Sequence, residues 1–100
     1  MNLADPGCCY RKSPEVIARD VAGEVLLVPI RRRVADLHSI YALNDVAATV
    51  WNLIDGDRTI SAISDALLER YDVQPERASR DVAELMARFL ELGLIEMPAG

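Results

Sequence analysis

After Leu43 the hydrophobic period of this sequence lengthens from two residues to between three and four, and it stays there to Gly93. A period of two belongs to strands and a period near 3.6 to helices. The chain must therefore lay down its strands first and its helices afterwards. That order excludes the alternating strand–helix plan of a parallel sheet and defines an α+β domain.

Three strands are predicted. "EVLLVPI", residues 24–30, is a continuous aliphatic run that suits a central strand buried on both faces. Pro29 limits its far end, because proline cannot donate to a ladder. Ahead of it, Val16, Ala18 and Val21 mark a short strand closed by Gly23. Behind it, Leu37, Ser39, Tyr41 and Leu43 alternate with His38, Ile40 and Ala42. Short connections make antiparallel pairs, and the third strand becomes the edge of a meander.

Three helices follow. Asn44 is a good N-cap with Asp45 in the first turn, and Gly56 lies beyond the helix end. Thr59 caps a second helix with Ile60, Ile63, Leu67 and Tyr71 at helical spacing. Pro75 opens a third, where its missing N–H costs nothing, and Gly93 stops it. On that helix Ala78, Val82, Leu85, Phe89 and Leu92 form one stripe, widened by Ala83, Met86 and Leu90. Leu94 to Glu96 adds a few extended residues. The fold class is α+β, winged-helix-like: a three-stranded antiparallel sheet followed by three helices. Val25, Leu27, Val50, Trp51, Ile54, Ile63, Leu67, Val82, Leu85 and Phe89 are the expected core.

One hundred residues make one domain. Residues 1–14 have no periodicity and two prolines, and are expected to be a flexible N-terminal arm; residues 15–97 are the domain. No run of about eighteen apolar residues is present to span a membrane, and the N-terminus lacks a signal-peptide pattern, so a cytoplasmic chain is expected. Cys8 and Cys9 are adjacent, which disfavours a mutual disulfide, and they lack metal-site spacing. They are expected to be free thiols in the arm, and no metal is expected.

A helix-turn-helix outline raises the question of DNA. The formal net charge is −5. The third helix sets Arg77, Arg80 and Arg88 against Glu76, Asp81, Glu84 and Glu91, and the second sets Arg70 against Asp65 and Glu69. Neither offers a basic face. Only Arg31, Arg32 and Arg33 are strongly basic, and one hairpin tip is not a phosphate footprint. A winged-helix DNA-binding regulator is the alternative function, and a subunit binding a folded protein a further one. The lone histidine, His38, has no recognisable nucleophile or carboxylate set, and no glycine-rich phosphate loop exists, so no catalysis is expected.

The stretch "YALNDVAATVWNLIDGDRTISAI", residues 41–63, resembles the signature of the PqqD family. These are the peptide chaperones of pyrroloquinoline quinone biosynthesis, and their fold is the recognition element of ribosomally synthesised, post-translationally modified peptides. The resemblance rests on Leu43, Asn44, Ala47, Val50, Trp51, Leu53, Asp55, Gly56, Arg58, Thr59, Ile60 and Ile63. "DVAELMARFLELGLIE", residues 81–96, resembles the family's last helix. It covers about residues 25–96; the "CCY" and the triple arginine lie outside it. The matched residues have fold-building roles: Asn44 caps, Gly56 turns and Trp51 fills the core.

The resemblance implies a peptide chaperone that holds the leader segment of a precursor peptide and presents it to a modifying enzyme, commonly of the radical S-adenosylmethionine class, with no cofactor of its own. Physical features of this sequence agree. Residues 38–43 contain no proline, lysine or charge to protect the edge. An extended peptide can pair with that edge while its side chains meet the broad third helix. The expected peptide-binding residues are Ser39, Ile40, Tyr41, Ala42, Leu43, Ala83, Met86 and Leu90. A monomer in solution is expected, with a dimer as the alternative.

Overall fold

The computed structural model describes residues 7–30 and 40–97. Eight elements run in the order β1 (Arg11–Lys12), β2 (Val16–Val21), β3 (Glu24–Pro29), β4 (Tyr41–Leu43), α1 (Asp45–Leu53), α2 (Ile60–Arg70), α3 (Pro75–Glu91) and β5 (Ile95–Glu96). The main sheet is antiparallel with spatial order β2-β3-β4, as a meander requires. Leu37, His38 and Ser39, placed in the third strand by their alternation, and the Arg31–Arg33 run lie outside the described residues.

The β2–β3 hairpin turns on Ala22 and Gly23, with φ of 53° and 85°. Positive φ at both central residues is the type I′ arrangement, whose twist matches that of the flanking strands. Alanine is strained there, because its Cβ crowds the backbone in the left-handed region. Ala22→Asn is therefore expected to raise stability by about 0.5–1 kcal/mol. Urea melts of the two proteins would check it; an unchanged or lower midpoint would contradict it.

Capping sets the helices as their sequence suggests. The Asn44 side chain accepts the Ala47 N–H at 2.8 Å and the Thr59 hydroxyl accepts the Ala62 N–H at 3.0 Å. Pro75 opens α3 without a side-chain cap. Between α1 and α2, Asp55 Oδ1 accepts the Arg58 and Asp57 backbone N–H groups. Those bonds, Arg58's first, hold its carboxyl below the usual carboxylate range. At the far end of α3, Gly93 at φ 75° donates to the Leu90 carbonyl, and Leu94 donates to that of Phe89. This is a Schellman motif, which only a left-handed residue at Gly93 permits. It reverses the chain so that β5 runs back into the fold.

Eight of the ten expected core residues are buried; Val25 and Leu85 are half-buried. The core also takes Met86, Leu94 and Ile95. Trp51 stands edge-on to Phe89, with ring centroids 5.5 Å apart. Hydroxyl contact between Thr49 and Tyr71 at 3.0 Å ties α1 to the end of α2. The expectation that β3 is buried on both faces needs correction. Leu27 enters the core cluster, whereas Leu26 and Val28, on the opposite face, are half-buried and outside it.

The boundary expected at residue 14 also needs correction. Tyr10 is buried in the core, and β1 pairs antiparallel with β5. Arg11 and Glu96 form an ion pair across that pairing. Cys9 bridges to Thr59, and its thiol donates to the Asp57 carbonyl at 3.1 Å. Cys8 is half-buried against the core. Both thiols are free, but they are docked rather than in a loose tail. The local sequence here has no period because each residue is held by distant partners. The remainder of the expected arm, residues 1–6, lies outside the described residues.

Candidate functional site

β4 is an edge strand, and the register fixes which of its backbone groups face outward. The Ile30 N–H donates to the Glu15 carbonyl, so Glu15 and Ile30 are directly bonded partners across β2 and β3. In an antiparallel ladder bonded pairs recur at every second residue. Leu26 and Val28 therefore turn their backbone groups to β2, while Val25 and Leu27 turn theirs to β4. Val25 pairs with Leu43 and Leu27 with Tyr41. Those two β4 residues spend their N–H and C=O groups on β3. Ala42, between them, turns its N–H and C=O away from β3, to an edge that pairs with no other strand among the described residues.

Side chains alternate the other way, across the two faces. Tyr41 and Leu43 pack against the core, while Ala42 is exposed. Ile40, just before the strand, is 59% exposed. Beside this edge lies a groove between β4 and α3. Ile40, Tyr41, Ala42 and Leu43 line one wall; Leu85, Arg88, Phe89 and Leu92 line the other, with Leu94 and Ala47 also contributing. A strand laid along β4 would bond to Ala42 and drop alternate side chains into that groove.

Of the residues expected to bind peptide, Ile40, Tyr41, Ala42 and Leu43 line the strand wall, and Ser39 lies outside the described residues. On the helix side the structure corrects the expectation. Met86 is 0% exposed and belongs to the core. Ala83 and Leu90 do not line the groove. Leu90 and Leu92, two positions apart, are separated by about 160° around the helix axis. Leu92 is on the sheet side, and Leu90 packs on the core from the other flank. Both flanks of α3 are apolar in sequence, so periodicity alone cannot say which one meets the sheet. Leu85 and Phe89 were legible as core and Leu92 as part of the apolar stripe, none of them as groove wall.

Past Leu43 the groove continues between the start of α1 and the middle of α3. There Asn44 and Val46 face Asp81, Glu84, Leu85 and Arg88. Among the described residues no group of three or more His, Cys, Asp or Glu side chains could hold a metal ion. No helix among them is long and apolar enough to cross a membrane.

A small α+β domain whose edge strand β4 pairs only with β3 among the described residues, beside a mostly apolar groove, defines a class of module suited to an extended chain. Over residues 24–95 the sequence matches the family of Coenzyme PQQ synthesis protein D (PqqD), and the chain belongs to that family. No curated protein matches it. Three solved structures share the fold. TbiB1 in complex with the TbiA(beta) leader peptide is 21% identical, with a TM-score of 0.74 over 90% of this chain and 99% of that one. Lasso peptide synthetase B1 complexed with the leader peptide is 23% identical, with a TM-score of 0.73 over 87% and 96%. The third is the solution structure of the PqqD truncation of Methylobacterium extorquens PqqCD, a stand-alone recognition element for ribosomally synthesised and modified peptides. It is 22% identical, with a TM-score of 0.73 over 95% and 96%.

Proposed function

We propose that this chain binds the leader segment of a ribosomally made precursor peptide by strand addition along β4 and presents it to a modifying enzyme. The observation that carries this is the outward-facing N–H and C=O of Ala42, with a groove beside them for alternate side chains. Two proteins that share its fold were solved in complex with leader peptides, which supports a leader peptide as the ligand. The modifying enzyme is of the radical S-adenosylmethionine class, the chain works in the cytoplasm, and it acts as a monomer without a cofactor or catalytic residues of its own. Its contribution is to raise the local concentration of a floppy substrate and to fix its register. Ordering the peptide consumes part of the contact energy, so affinity should be moderate, on the order of nanomolar to micromolar.

DNA binding is the weaker reading. The longest basic run, Arg31 to Arg33, is isolated, and three arginines on α3 stand against four carboxylates on the same helix. NMR titration with synthetic leaders from short reading frames beside this one, and separately with labelled duplex, separates the two. Amide shifts are expected at Ala42, Leu43 and along Leu85 to Leu92. Shifts confined to α2 and residues 31–33, with strand β4 unmoved, would overturn strand addition.

A further inference from the structure

The groove changes chemistry along its length. The α3 residues facing residues 40–43 lie later in the helix than those facing Asn44 and Val46, so β4 and α3 run in opposite directions. Along β4 the helix wall is Leu85, Phe89 and Leu92, all apolar, with the charged Arg88 beside them. Beyond Asn44 it becomes Asp81 and Glu84, with Arg88 at the junction of the two halves.

Strand addition would couple this gradient to a ligand's sequence. Residues opposite Tyr41 and Leu43 would point into the apolar half. The next side chain on that face sits two residues, about 6.5 Å, further along, and so reaches the acidic end. The two carboxylates there outnumber Arg88, the one cation that lines the same stretch among the described residues. Among the described residues Glu84 has no ion-pair partner, and Asp81 is paired only loosely, at 3.8 Å, with an exposed Arg77. The chain's net charge of −5 also favours the approach of a cation.

We infer that the segment held in this groove carries two apolar residues at alternate positions and then, two positions further toward α1, a lysine or arginine that Asp81 and Glu84 select. The inference rests on strand addition along β4 and adds to it the class of leader accepted. Each partly exposed pair adds only a few-fold to affinity. Converting attraction to repulsion at the same place costs more, roughly tenfold, and salt weakens both effects.

The test uses the full chain as bait for a displayed library of short random peptides. Three baits are compared: the parent, the double variant Asp81→Asn/Glu84→Lys, and Ala42→Pro, each first shown by its thermal melt to be folded. The parent is expected to enrich peptides with alternate apolar residues and a cation two positions beyond. The double variant should enrich a carboxylate at that position and bind the parent's peptide about tenfold more weakly. Ala42→Pro should enrich neither. If parent and double variant select the same charge while Ala42→Pro still loses the peptides, charge selection is overturned and strand addition stands. If the parent selects no consensus, or Ala42→Pro keeps the peptides, strand addition itself is overturned, and charge selection with it.

Discussion

Trp51→Ala is expected to lower stability by about 3–5 kcal/mol. Trp51 is 2% exposed and sits where α1 meets α3, edge-on to Phe89. The Lys12 ammonium lies over its ring, 5.4 Å from the centroid, so the same side chain also anchors the N-terminal segment. Burial at this contact lowers the Lys12 pKa from its ordinary value, and the Asp55 charge partly opposes that. Removing the indole opens a cavity beside Phe89 and removes a ring contact that adds about 0.5–1.5 kcal/mol beyond its area. A domain of this size has only about 5–15 kcal/mol in total. The thermal midpoint should therefore fall by more than about 10 °C. Urea and thermal melts followed by circular dichroism would show it, with Trp51→Phe losing less than Trp51→Ala. Trp51 does not line the groove. Where the variant is still folded, its peptide affinity should stay close to the parent's. A parent-like melt would mean that this ring does not organise the core.

The helices were legible because their signals are local. Asn44, Thr59, Pro75 and Gly93 each act within a few residues of themselves, and each stands where its chemistry predicts. The edge position of β4 followed from reading the three strands as a consecutive meander, whose order is β2-β3-β4. The β1–β5 pairing was not legible. It joins two-residue strands whose ion-paired ends, Arg11 and Glu96, are 85 positions apart. Strands that short carry no measurable period. The helix wall of the groove failed for a different reason. Periodicity identifies the apolar arc of α3 but not its rotation relative to the sheet. Met86 lies within the buried arc, and Leu85 and Leu92 lie on the flank that meets β4. Only the tertiary contact breaks the symmetry between the two flanks.

Proline substitutions on β4 give the sharpest test of how the site works, because neighbouring positions should fail in opposite ways. The Ala42 N–H faces the open edge, and its side chain is exposed. Proline there removes no ladder bond of the free protein, and edge strands tolerate it. The preceding residue, Tyr41, is already extended, as proline requires. A bound peptide, however, would lose one hydrogen bond and keep an unsatisfied carbonyl. Together these cost about 1.5–3 kcal/mol, which is about 10- to 100-fold in affinity. Tyr41→Pro is the mirror case. It removes a donor that bonds to Leu27 and a side chain packed on the core, so the hairpin should melt first and binding should fall only as the fold does. Isothermal titration with a leader peptide, set beside thermal melts of both variants, measures the two effects separately. Parent-like affinity in a folded Ala42→Pro protein would exclude backbone pairing at this edge. Equal losses of binding in both variants, each in step with lost stability, would place the peptide elsewhere on the domain.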